Sequence, residues 1–250
     1  MNYQDLHHQH LDDWEARTEN ARSILELLPF ESVGSAVDVG CGVGGMVSAL
    51  SSFYELESHN LFGLDGDTSL VRSPEVGTFR NHDLERPIDL GRRFDLVFSL
   101  EVAEHLSTSR AESFVRDLTT LGDCIIFSAA MPLQGGVGHI NEQKASYWVS
   151  LFEANGFVCF DELRFRLPGT AYSWFRQNLL LFVRDQSDAF FEAGRRFGGP
   201  TFKGDYYAAE IVDRRLQNSQ IFQATVGQCV RQGRSTLKAG KHNIVLSLDT

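Results

Sequence analysis

Positive charge is scarce in this chain. Across 250 residues, 23 Lys and Arg face 33 Asp and Glu, a formal net charge of -10. The deficit lies in the body: residues 1–184 hold 14 basic and 26 acidic side chains, a balance of -12, whereas residues 185–250 hold 9 and 7, a balance of +2. An acidic body repels a phosphate backbone, so no nucleic-acid partner is expected. Cysteine is also sparse. Cys41, Cys124, Cys159 and Cys229 lack paired spacing, which argues against a disulfide framework and a zinc site and suits a reducing cytoplasm. No apolar run approaches the roughly 20 residues that span a bilayer, so no membrane partner is expected. The opening stretch MNYQDLHHQHLDDWEARTEN is polar and acidic, unlike a secretory signal. With 42% hydrophobic and 22% charged residues, the chain can bury a substantial core.

What is present is an alternating pattern. Residues 3–28 read as a helix, with Leu6, His10, Trp14, Ala21, Ile24, Leu25 and Leu28 on one stripe and Pro29 as its end. Strands follow at Ala36–Val39, Leu61–Leu64, Thr78–His82, Phe94–Leu100, Cys124–Ala129, Phe157–Phe165 and Leu179–Val183. Helices are expected at Val43–Phe53, Arg110–Leu118 and Glu142–Asn155, the last with Asn141 as N-cap. The pattern predicts an α/β fold with a doubly wound, Rossmann-like, seven-stranded sheet. The short link Arg166–Arg176, with Pro168 and Gly169, reads as a hairpin and makes the last strand antiparallel. Beyond Asp185 a mostly helical extension is expected, with helices over Ser187–Phe197 and Phe202–Arg231. The expected division is an N-terminal helical lid over 1–29, a central domain over 30–184 and the extension over 185–250.

The stretch AVDVGCGVGG, from Ala36 to Gly45, places Asp38 and then Gly40, Gly42 and Gly44 at the end of a buried strand. Glycines there let the backbone turn tightly and approach a ligand, and the next helix aims its first amides at it. A structural strand-to-helix turn would look the same. Three acids at successive strand ends favour a ligand. Asp38 can pair with an ammonium group, Asp65 in LFGLDGD can accept from both ribose hydroxyls, and Asp83 in NHDLERP can receive an adenine amine with Leu84 on the ring.

The motifs DVGCGVG, LFGLD, HDLE and FDLVFSLEVAEHL, in this order, resemble a class I S-adenosylmethionine (SAM)-dependent methyltransferase of the small-molecule, sugar or natural-product type. The resemblance covers roughly residues 30–184. It implies S-adenosyl-L-methionine as cofactor, with Asp38, Gly40, Cys41, Gly42 and Gly44 around the methionine part. It further implies Asp65 and Gly66 at the ribose, Asp83 and Leu84 at the adenine, and Ser99 and Glu101 on the reactive side. The antiparallel last strand also fits that family.

Methyl transfer needs an acceptor held in line and stripped of water. The loop SAAMPLQGGVGHINEQ, from Ser128 to Gln143, carries Gly135, Gly136, Gly138 and His139. His139 is the first candidate for a general base; the alternative is that it only shapes the loop. Glu142 reads as a favourable charge in a helix's first turn. His105, in EVAEHL, is the second catalytic candidate, although in the resembling family this position commonly supports the loop. Glu104 and His105 adjoin, but no second cluster at ligand spacing accompanies them, so no metal is expected. Tyr3, His7, His8, His10 and Trp14 on the first helix suit a gate over the pocket or simple packing. Tyr172, Trp174 and Arg176 suit a planar or sugar-like acceptor, or a subunit contact. In the extension, Tyr206, Tyr207, Ile211 and Val212 could pack on the body or serve a homodimer.

The expected function is methyl transfer in the cytoplasm to a small-molecule hydroxyl of a sugar, glycan or natural product. The alternatives are a non-catalytic SAM-binding subunit of a partner enzyme and an N-methyltransferase on a small amine or protein. A dinucleotide oxidoreductase is disfavoured, because Asp38 would have no task there.

Overall fold

The computed structural model describes residues 13–206 and two short strands, Thr236–Ala239 and His242–Val245. Of the residues singled out above, Tyr3, Leu6, His7, His8, His10, Tyr207, Ile211, Val212 and Cys229 lie outside the described residues, as does nearly all of the helix expected over Phe202–Arg231.

Seven strands form one sheet: β1 (Ala36–Val39), β2 (Leu61–Asp65), β3 (Thr78–Asn81), β4 (Leu96–Leu100), β5 (Cys124–Ser128), β6 (Phe157–Phe160) and β7 (Leu180–Arg184). Their order is β3-β2-β1-β4-β5-β7-β6. The pairs β1–β2, β1–β4, β2–β3 and β4–β5 are parallel. β7 runs antiparallel to both β5 and β6. The chain winds outward from β1 to β3 and returns to β4, so the strand order reverses beside β1. In open α/β sheets, ligands sit outside the carboxyl ends of the strands at that reversal.

The central strands are apolar on both faces because both faces are covered. On one face Val37, Val97, Ile125, Phe127 and Phe182 meet α3 (Ala111–Leu121) and α4 (Ala145–Glu153), with Phe114, Leu118, Trp148 and Phe152 in the core. On the other, Leu96, Phe98, Ile126 and Leu181 meet α1 (Trp14–Leu25) and α2 (Gly45–Tyr54), with Ile24, Leu25, Val47 and Leu50. Two short helices, α5 (Leu163–Arg166) and α6 (Ser173–Asn178), join β6 to β7, and α7 (Asp188–Phe197) follows the sheet. The Ser187 hydroxyl caps α7 by accepting from the Phe190 amide.

Several expectations need correction. The β6–β7 connection does bring the last strand back antiparallel, but β6 is shorter than expected: the link holds α5 and α6, and residues 161–165 leave the strand for a buried ion pair. There Arg164 Nε and Nη2 donate to the two Asp161 oxygens, both at 2.6 Å. The same guanidinium donates to the Gln177 and Gly204 carbonyls. The fourth helix begins at Ala145, and Asn141 does not cap it. Instead the Asn141 amide donates to the Ala103 carbonyl and accepts from Gln143. The extension is not all helical: Thr236–Ala239 (β8) and His242–Val245 (β9) pair as an antiparallel ribbon, and residues 202–206 are in no helix.

Candidate active site

A cavity of about 750 Å³ opens at the carboxyl ends of β1, β2 and β4, within the size range of small-ligand sites. Its floor is the turn after β1. The Gly40 and Cys41 amides both donate to the Leu64 carbonyl, at 2.7 and 2.9 Å. The Gly42 amide donates to Asp65 Oδ2 at 2.8 Å, and the Asp67 amide to Asp65 Oδ1 at 3.1 Å. Gly40 has φ +87°, and a Cβ there would meet the Val102 side chain at 2.2 Å. The turn is thus closed by backbone that no larger residue can form.

Asp38 lies at the base of the cavity, 4% exposed. Burial, and then the nearby Asp65 charge, push its carboxyl up to about 7. The Cys41 thiol is raised by burial too, so it stays protonated. Opposite stands Arg17 of α1, which lines the cavity; its buried Nε has no partner, and burial lowers its pKa. α2 begins after Gly44 with no side-chain cap, leaving its first amides available to an anion.

The reactive wall comes from β4 and the loop after β5. Glu101 has φ +56°, an uncommon conformation for a side-chain-bearing residue. Its amide donates to the Ser128 carbonyl and hydroxyl, and its carboxylate accepts from Gln134 Nε2 at 2.7 Å and Asn178 Nδ2 at 3.0 Å. Burial raises the Glu101 carboxyl and these hydrogen bonds oppose that shift. Gln134 Oε1 accepts in turn from Asn178 and Gln177, tying the wall to α6.

Next to it, Glu104 and His105 end a short 3-10 turn, Ala103–His105. The Ile140 and Asn141 amides donate to the Glu104 carbonyl, each at 2.9 Å, which folds the glycine loop back over the turn. His139 Nδ1 bonds Glu142 Oε1 at 3.0 Å, and the Glu142 carboxylate also accepts from the Gly135 and Leu133 amides. Glu142 is therefore no first-turn charge of α4; it holds the loop and orients His139. A Cβ on Gly136 would lie 2.2 Å from the His139 ring, so that glycine makes room for the imidazole. The His105 and His139 rings meet edge to face at 4.8 Å. Burial and then the His139 charge lower the His105 pKa, keeping its ring neutral at physiological pH. Burial and the Glu101 charge push the Glu104 carboxyl well up.

The cavity brings together Asp38, Gly40, Cys41, Gly42, Asp65, Gly66, Asp83, Leu84, Glu101, His105 and His139 of the expected site residues. Gly44 and Ser99 do not line it. Gly44 serves as the left-handed N-cap of α2, and Ser99 faces the interior, wholly buried. Asp83 is already engaged by the Glu85 amide and Arg86. Tyr172 and Trp174 line the mouth as a stacked pair, 4.3 Å between centroids, whereas Arg176 is not among the lining residues. Trp14 lies under the Arg72 guanidinium rather than in the cavity. Arg17 and Gln134 were missed, and Glu104 was weighed only as a metal neighbour of His105, not as a wall of the cavity. Arg17 gave no signal, being one basic residue among polar neighbours on a helix.

Residues 37–121 match a family described as a methyltransferase domain. No curated protein matches the chain. Among solved structures, one chain of the Haloferax volcanii complex between the Trm112 methyltransferase activator and a methyltransferase aligns with a TM-score of 0.56 at 15% identity, over 74% of this chain and 96% of that one. The sugar N-methyltransferase KedS8 from Streptoalloteichus sp ATCC 53650 aligns at 0.53 and 16% identity, over 74% and 93%. Streptomyces venezuelae DesVI aligns at 0.53 and 14% identity, over 74% and 99%. At these identities the likeness establishes a shared fold. Among the described residues no helix is long and apolar enough to cross a membrane.

Proposed function

We propose that the chain is a SAM-dependent methyltransferase, which the methyltransferase-domain match over residues 37–121 and the class I sheet order support, and that it methylates a hydroxyl of a small sugar, glycan or natural product. One observation carries this: the glycine turn, three strand-end acids, two histidines and an aromatic pair converge on one cavity. The cavity fits the cofactor. Asp38, with its pKa raised in the free protein, is relieved by an ammonium group, and Arg17 and the α2 amides suit a carboxylate. Asp65 takes the ribose, and Asp83 with Leu84 the adenine edge. When bound, SAM supplies an electrophilic methyl carbon on a sulfonium.

The protein's own side chains handle the acceptor. Tyr172 and Trp174 offer flat apolar faces at the mouth. The Tyr172 amide donates to Asn20 Oδ1 at 2.7 Å, which ties the start of α6 to α1 beside the cavity. Because Glu142 only accepts, Nδ1 of His139 carries the hydrogen and Nε2 offers its lone pair to the acceptor's hydroxyl proton.

The test is incubation with methyl-deuterated SAM and hydroxylated or amino-bearing sugars and natural products, read by mass spectrometry beside Asp65→Ala. A labelled oxygen supports the proposal; a labelled nitrogen points to the second reading, which the acidic lining from Asp38, Asp65, Asp83, Glu85, Glu101 and Glu104 favours by attracting amines. SAM binding with no product from any acceptor returns the chain to a non-catalytic role. Asp65→Ala should weaken SAM binding about 100-fold in calorimetry, since two charge-assisted hydrogen bonds at about 1.5 kcal/mol each are lost.

Asp38 makes binding depend on pH. Its pairing with an ammonium needs the ionised carboxylate, so SAM affinity should fall as pH drops below about 7, approaching about tenfold per pH unit. Asp38→Asn should bind weakly with a flat profile. The same shift bears on stability with a definite sign. The folded carboxyl keeps a proton that the unfolded chain loses near 3.8, so free-protein stability declines as pH rises from there to about 7. Asp38→Asn should therefore raise the melting temperature of the free protein at pH values above that window.

A further inference from the structure

Glu104 is wholly buried, and its carboxylate oxygens make no close, well-aligned hydrogen bond; the backbone amides of Glu104 itself and Ala130 face them. A buried acid left this way is costly unless something cationic faces it. His139 Nε2 stands 4.0 Å from Glu104 Oε1, too far for a hydrogen bond. A nitrogen of His105, a nitrogen of His139 and an oxygen of Glu104 all lie within 4.8 Å of one another. The chain supplies these groups from two places, an adjacent acid and histidine after β4 and one histidine on the loop after β5, which is why ligand spacing in the sequence did not show them together.

We propose that Glu104, His105 and His139 bind a divalent first-row transition-metal ion at the acceptor end of the cavity. Nitrogen and carboxylate ligands sit about 2.0–2.2 Å from such an ion, so in a tetrahedral site they stand about 3.4 Å apart. The Glu104–His139 pair stands 4.0 Å apart and the three ligand atoms lie within 4.8 Å of one another, so they close on an ion by side-chain movements of up to about 1.4 Å. Two imidazoles and one carboxylate suit a transition metal better than magnesium. The surroundings are built for it. Glu142 fixes His139 through Nδ1 and turns Nε2 inward, the outer-shell carboxylate that ligating histidines commonly have. Glu101 is taken up by Gln134 and Asn178, so it does not compete. All three ligands line the cavity, leaving the ion's other positions open to a substrate oxygen.

What the ion does rests on the methyl-transfer reading; that it binds does not. Bound there, it makes an acceptor hydroxyl more acidic, and the proton leaves to solvent. Nε2 is then a ligand and not the base, so the two roles of His139 exclude each other.

The test is titration of chelator-treated protein with Co²⁺, followed by visible absorption and calorimetry, with SAM affinity measured on every variant as the check on folding. One equivalent should bind. Glu104→Gln and His139→Asn should each weaken it at least tenfold while SAM binding persists. A variant with His7, His8 and His10 all changed to Ala should bind Co²⁺ unchanged. The proposal is overturned if millimolar Co²⁺ does not bind, or if binding survives Glu104→Gln and His139→Asn, whether or not it is lost with the three N-terminal histidines. Failure of SAM binding in the unaltered protein would instead sink the functional reading and leave the metal result standing.

Discussion

His139→Asn should lower kcat by about 10² to 10⁴ while SAM affinity stays within about twofold. The range is that for loss of a positioned acid–base group; loss of a ligand to an ion that acidifies the acceptor gives the same split, and the Co²⁺ titration separates the two. His139 sits at the acceptor end, away from the glycine turn, with its ring held by Glu142 at 3.0 Å and seated over Gly136. Asparagine keeps a polar side chain near that volume but offers no basic nitrogen at the Nε2 position. The split between kcat and affinity is the informative part. A loop-shaping role would instead spread the loss over acceptor KM and thermal stability, because residues 133–142 would loosen together. Glu142→Gln provides the companion measurement. It keeps a hydrogen-bond acceptor but removes the charge that orients the ring, so its kcat should fall between those of the unaltered and His139→Asn proteins.

Arg164→Ala should destabilise the fold by about 3–5 kcal/mol, the cost of leaving a buried charge without its partner. Both members of the Arg164–Asp161 pair are fully buried. The guanidinium also satisfies the Gln177 and Gly204 carbonyls, and Asp161 Oδ2 accepts from the Lys203 amide at 2.8 Å. Removing Arg164 therefore strips partners from three acceptors and frees the segment after α7. Denaturant unfolding would show the loss as a lower midpoint. The combined Asp161→Leu, Arg164→Met variant should recover much of it, since an apolar pair leaves no stranded charge. If the single substitution costs under 1 kcal/mol by the same assay, water reaches the pair and the burial argument fails.

The strands were legible because local pattern dictates them. Ala36–Val39 and Cys124–Ser128 are buried throughout and apolar but for Asp38 and Ser128, as central parallel strands tend to be, and the glycine turn announced itself through residue types only a tight turn requires. The link between β6 and β7 was not legible. Residues 161–166, DELRFR, carry charges that look exposed, yet Asp161 and Arg164 are buried because they meet each other. Pairing of that kind leaves no periodic trace. Among the residues that line the cavity, Asp38 and Asp65 were readable from their places at strand ends. The Glu104–His105–His139 corner was not, because it depends on the Ile140 and Asn141 amides folding back onto Glu104, a loop geometry set by tertiary contact. Ser99 was misplaced by half a pleat: it alternates with Leu100, and only the latter reaches the cavity.

The place of β7 has a consequence for how the protein is made. Leu180–Arg184 is synthesised after the other six strands, yet it lies between β5 and β6. Until it leaves the ribosome, β6 has no neighbour in the sheet and β5 presents one open edge of apolar backbone. The half of the domain holding the glycine turn can assemble early, from strands β1 to β5. The other half must wait for residue 184 and then admit a strand into its middle, a long-range event of the kind that folds slowly and exposes sticky edges meanwhile. A nascent chain halted before that point would hold much of the cofactor-binding half and be the form most in need of a chaperone.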